Sequence, residues 1–144
     1  MKKLPFLSLL ILGLALGACQ NRKAQDAGYT SFRLDEIFEL PFARTARLAD
    51  GELTLRFQDV PEDSRCPEGV TCVWAGQVTV VLAAKLGEHR EDLRFTREAK
   101  SKKNVTNSFQ GYKVHLLGVE PYPREGSPLK KEDYRLRLSV RKGG

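Results

Sequence analysis

Period-two alternation of apolar and polar residues dominates the chain after residue 28. Phe32, Leu34, Phe38, Leu40 and Phe42 alternate with a break at Glu36, a pattern that allows one strand or two short ones. Leu53, Leu55 and Phe57 face one way and Thr54, Arg56 and Gln58 the other, and the Asp50-Gly51 pair before them is a hairpin signal. Residues 73–84 are apolar on both faces, with Trp74, Val78, Val80 and Leu82 set against Val73, Val81 and Ala83. That pattern predicts a central strand. After a turn at residues 85–89, Leu93 and Phe95 mark a short returning strand.

Residues 100–108 are polar, with Lys100, Lys102 and Lys103 clustered, and read as an exposed loop. Tyr112, Val114 and Leu116 alternate until Leu117-Gly118, where a change of face predicts a bulge, and Pro121-Tyr122-Pro123 ends the strand. Residues 124–133 read as a loop with one helical turn over 128–133. The last segment alternates most cleanly. Tyr134, Leu136, Leu138 and Val140 are expected inside, which turns Arg135, Arg137 and Arg141 outward. No segment after residue 28 sustains a 3.6-residue apolar repeat. The expectation is therefore an all-β fold over residues 29–144, a single antiparallel β-sandwich or small barrel of about seven strands.

The first 18 residues follow a different rule. Lys2 and Lys3 precede an apolar run over residues 4–16, 13 positions long, where spanning a bilayer takes about 20. The run ends in Leu16-Gly17-Ala18-Cys19, which resembles the bacterial lipobox. The resemblance implies cleavage before Cys19, lipidation of its thiol and acylation of the freed amine, which together give stable anchoring. Residues 1–18 are thus expected to be a lipoprotein signal peptide, and residues 19–28 a lipidated Cys and flexible tether. The tether has no large apolar residue and reaches at most about 30 Å. In a Gram-negative cell Gln20 at the following position resembles the pattern sorted to the outer membrane, on its periplasmic side.

The cysteines agree with export. With Cys19 lipidated, Cys66 and Cys72 remain as an even pair in an oxidising setting. Their spacing, with Pro67 and Gly69 between them, suits a small disulfide loop. Trp74 lies two residues past Cys72, placed to pack against the sulfurs as a core anchor. Asp63-Ser64-Arg65-Cys66-Pro67, Cys72 and Trp74-Ala75-Gly76 together resemble a signature of uncharacterised bacterial secreted proteins and lipoproteins. The resemblance extends more weakly over residues 45–140, and it implies a fold and a compartment but no activity.

Charge adds little. The full chain carries +6, and without Lys2 and Lys3 it has 22 basic against 18 acidic residues, which is too mild for a nucleic-acid binder. Catalytic constellations are absent from the pattern: there is no Gly-x-Ser-x-Gly elbow and no helical His pair. Cys66 and Cys72 lack the two-residue spacing of dithiol oxidoreductases, and a metal site would have to recruit His89 or His115. Asp59, Glu62 and Asp63 are candidates for a hard cation, or Asp63 for an ion pair with Arg65 that shapes the loop. No cofactor or metal is expected.

The functional expectation is a lipid-anchored, non-enzymatic envelope module that binds or inhibits an unspecified ligand. Its partners would be the membrane, through the N-terminal lipid, and an envelope protein or anionic glycolipid met by Arg135, Arg137 and Arg141. The bland account of those arginines is a solvated or blunted sheet edge. The alternative function is an envelope enzyme or redox helper using the Cys66–Cys72 loop and its acids.

Overall fold

The computed structural model describes residues 28–144, so the lipobox and residues 19–27 of the tether lie outside the described residues. Nine strands follow in order: β1 (Tyr29–Phe32), β2 (Ile37–Pro41), β3 (Thr45–Leu48), β4 (Thr54–Asp63), β5 (Gln77–Leu86), β6 (His89–Glu98), β7 (Val105–Phe109), β8 (Tyr112–Glu120) and β9 (Arg135–Lys142). They form a five-stranded sheet, ordered β1-β3-β4-β5-β6, and a four-stranded sheet, ordered β2-β9-β8-β7. The only helical turn among the described residues is a 3-10 turn at Lys131–Asp133. The all-β sandwich is as expected, with nine strands rather than about seven. One pairing, β1 with β3, is parallel, so the sandwich is not purely antiparallel.

The interior follows the alternation. Leu53, Leu55 and Phe57 from one sheet meet Leu136, Leu138 and Val140 from the other, all fully buried. A one-residue slip of β9 would expose its apolar set at about 1.5–3 kcal/mol per side chain, comparable in sum to the stability of a whole domain. The register is therefore strongly specified. The break at Glu36 separates two strands in different sheets, held together where Phe32 stacks on Phe38 at 4.5 Å between ring centroids. β5 is central, between β4 and β6, and its outward Thr79 and Val81 are buried as well.

Three strand readings change. β5 starts at Gln77, so residues 73–76 belong to a loop. β6 is ten residues long, with His89 at its start, because its polar outer face conceals its length. β7 occupies much of the segment expected as loop, because its inward position Asn107 is polar: its side-chain nitrogen donates to the Arg94 carbonyl at 2.8 Å, linking the edge strand of one sheet to the other. The bulge falls where Leu117-Gly118 predicts it, as a register shift between Leu116 and Gly118.

Candidate functional site

At one end of the sandwich β4 and β5 continue past their last strand residues into a long hairpin. Ser64 N–H donates to the Gln77 carbonyl at 2.8 Å and Cys66 N–H to the Ala75 carbonyl at 2.8 Å, so the base of the loop is itself a short ladder. Gly76 closes that base. Its φ is +79°, and a Cβ there would lie 1.9 Å from the Ser64 carbonyl oxygen, so only glycine fits. Cys66 and Cys72 are joined, with 5.9 Å between their Cα atoms.

Arg65 locks this loop to the domain. Its side chain is buried, and its guanidinium grips Asp63 with two charge-assisted hydrogen bonds of 2.8 and 2.6 Å. The same group donates to the carbonyls of Val119 at 2.8 Å and Pro121 at 3.1 Å, at the end of β8 and just beyond it. It also lies 5.0 Å above the Tyr122 ring centroid, a cation–π distance. The Tyr134 hydroxyl completes the cluster with a 2.8 Å hydrogen bond to Asp63. Burial alone raises an aspartate, but the hydrogen bonds from Arg65 and Tyr134, with the Arg65 charge, outweigh it and hold Asp63 below its ordinary value. For Tyr134, burial and then the hydrogen bond to Asp63 push the phenol up to about 12. The Asp63–Arg65 pair, considered as an alternative to a cation site, is present, and its reach into β8 was invisible in the sequence.

A second seam holds one branch of the loop. Glu68 N–H donates to the Pro123 carbonyl at 2.9 Å, Glu125 N–H returns to the Glu68 carbonyl at 3.0 Å, and the Glu68 and Arg124 side chains pair at 3.0 Å. The other branch is free. Val70, Val73 and Trp74 are 42%, 107% and 61% exposed, three of the five large hydrophobics that stand out in solvent among the described residues. Trp74 is therefore not a core anchor. The left-handed Gly76 breaks the alternation that would have carried the indole inward in phase with Val78, and leaves it exposed beside the loop base. A glycine directly before the strand is the sequence signal for that break.

The other expected residues scatter. Arg135, Arg137 and Arg141 are exposed on the outer face of β9, but β9 lies between β2 and β8 and is no edge. Glu120 stands opposite Arg135 and Glu39 opposite Arg137, while Arg141 approaches Asp35 at 3.7 Å, so this face is of mixed charge. Asp59, Glu62 and Asp63 do not converge. Asp59 takes Lys131, Glu62 accepts from Ser64 and Gln77, and Asp63 takes Arg65. No cluster of three metal-ligating side chains occurs among the described residues. His115 shares a 2.7 Å hydrogen bond with Thr106, and burial followed by the charges of Arg141 and Lys113 lowers its pKa.

What the site offers chemically is a loop braced at its base that carries exposed apolar side chains. Comparison with protein-family models, with curated proteins and with solved structures finds no match to this chain.

Proposed function

We propose that this chain is a lipid-anchored binding or inhibitor module of the bacterial cell envelope, non-enzymatic, with the disulfide loop as its contact surface. One observation carries the reading: Val73 and Trp74 stand in solvent on a loop whose base is fixed by a disulfide, a backbone ladder and a buried arginine. An exposed Trp on a mobile loop loses binding energy to ordering, whereas a fixed one presents its apolar area at little entropic cost. The lipobox at Leu16-Gly17-Ala18-Cys19 and the even cysteine pair support an exported, membrane-tethered setting.

Two measurements in cells test this. Cys19→Ala should release the protein from the membrane fraction or stall its processing, and a photo-crosslinking residue at position 73 should form adducts that the same residue at position 85 does not. Normal processing with unaltered membrane retention of the Cys19→Ala form removes the anchor. Equal labelling from both positions removes the loop as contact surface. A thiol-exchange activity lost on Cys66→Ala, with folding intact, would replace the binding reading with the redox-helper one.

A further inference from the structure

The disulfide loop has a neighbour built in the same way. Ala99 N–H donates to the Gly76 carbonyl at 2.9 Å, which sets the β6–β7 connection beside the Trp74 branch. From the end of β6, Arg97 donates to the Ser101 carbonyl at 2.6 Å and to the Lys103 carbonyl, so its guanidinium fixes the backbone of that connection. Lys100, Lys102 and Lys103 are exposed, and none of the four ion pairs among the described residues involves them. Three lysines thus stand on a held loop beside the exposed apolar branch. Of the acids at this end, Glu68 is paired with Arg124, while Glu98 and Glu125 belong to none of the ion pairs among the described residues.

The chain enters the fold at Tyr29, which pairs with Thr45; Thr45 stands opposite Arg56, nearer the start of β4 than the Asp63 end that carries the disulfide loop. The eight residues between Cys19 and Gly28 span at most about 30 Å, so an acyl group on Cys19 would keep the whole domain close to its bilayer. Three exposed apolar side chains are also a small area for a stable protein interface, which buries about 800 Å² on each side. They suit shallow entry into a headgroup layer, where Trp is favoured and lysine meets phosphate.

From these placements we infer that the loop end docks on an anionic phospholipid bilayer, with Val70, Val73 and Trp74 entering the headgroup boundary and Lys100, Lys102 and Lys103 on lipid phosphates. This rests on the binding-module reading and names the surface that the module meets.

Trp74 is the only tryptophan in the chain, so its fluorescence reports the event directly. The protein from Gln20 to Gly144, free of acyl chains, is titrated with vesicles of phosphatidylglycerol and phosphatidylcholine, and with phosphatidylcholine alone. With the anionic vesicles, emission should move to shorter wavelength, be quenched by brominated acyl chains, and return toward the free value as salt rises. The triple change Lys100→Gln, Lys102→Gln, Lys103→Gln should lower vesicle affinity roughly a hundredfold. Val73→Asp keeps the probe, alters a fully exposed side chain and should abolish the response with the thermal melt unchanged. Unchanged Trp74 emission with both vesicle types overturns the inference. So does vesicle binding without quenching that is lost in Arg135→Gln, Arg137→Gln, Arg141→Gln, which would assign the contact to the β9 face. Position-73 crosslinks in cells to one envelope protein, with no vesicle response, would assign the tip to a protein. The vesicle assay contains no acyl anchor, so its failure stays distinct from a failure of the Cys19 reading.

Discussion

The two ends of the sandwich are closed by different physics. At one end, β5 and β6 are joined across Gly87-Glu88, and β7 and β8 across Gln110-Gly111, where both residues have positive φ (46° and 78°). These two-residue hairpins match the right-handed twist of the strands they join, so local backbone chemistry closes that end. At the other end, the loops after β4, β6 and β8 are too long to hold their own shape. Arg65 and Arg97 hold them by donating to main-chain carbonyls, in the case of Arg65 to acceptors 54 and 56 residues away. The difference bears on the proposed contact surface. Tight turns present polar tips, whereas an arginine-held loop can present Val73 and Trp74 to solvent without collapsing on them.

The sharpest way to break this comparison is Arg65→Ala. It leaves the partly buried Asp63 without its cation and two carbonyls without donors, an arrangement that costs about 3 kcal/mol. Urea titration should show the loss as a lower midpoint. Hydrogen exchange should rise first at residues 64–76 and 119–125, with the Gly87 and Gly111 turns still protected. Uniform loss of protection would mean that the two ends are not independent.

Glycine substitutions set the two ends side by side. Gly76→Ala places a methyl group against the Ser64 carbonyl and should cost about 3 kcal/mol, whereas at Gly87 (φ +57°) nothing lies within 4 Å and alanine should cost only about 1 kcal/mol in backbone strain. Equal midpoints in urea for the two variants would contradict the close approach at Gly76.

Replacing both Cys66 and Cys72 by Ala should cost about 2 kcal/mol, as expected for closing so short a loop. The accompanying rise in exchange should be confined to residues 66–75, since Arg65 still holds the base.

The smallest effect is pH-dependent. Tyr134 has a folded pKa of about 12 against an unfolded value near 10, so its stabilising interaction is present below pH 10 and lost as pH rises toward 12. Asp63 is depressed, so its contribution is present above its unfolded pKa near 4 and lost as pH falls through the folded value. Tyr134→Phe should remove the alkaline limb of a melting-temperature profile. An unchanged alkaline limb would show that another group carries it.

Much of the fold was legible because pleat geometry is local. β9 alternates without a break, and its inward residues are the ones buried. Where alternation failed, one residue had a partner across the fold. Asn107 breaks the pattern of β7 because its amide meets the Arg94 carbonyl of another strand, so a real strand reads as loop. Trp74 fails in the opposite sense: it keeps the alternation in sequence but loses it in space, because Gly76 takes a left-handed turn against Ser64.

The candidate site divides the same way. Spacing and setting were enough to expect the Cys66–Cys72 bond and to consider the Asp63–Arg65 pair, both interactions between near neighbours whose side chains announce their chemistry. The chain alone did not reveal that Arg65 would be buried against Tyr122, that the lysine loop would lie beside the tryptophan branch, or that β9 would be an interior strand with acids opposite Arg135 and Arg137. Side-chain alternation and loop spacing are local properties of the chain and are written in it. A main-chain carbonyl is the same at every residue and carries no side-chain signature. Which carbonyls an arginine will find, and which loops it will hold beside each other, is decided only when strands distant in sequence are brought into register.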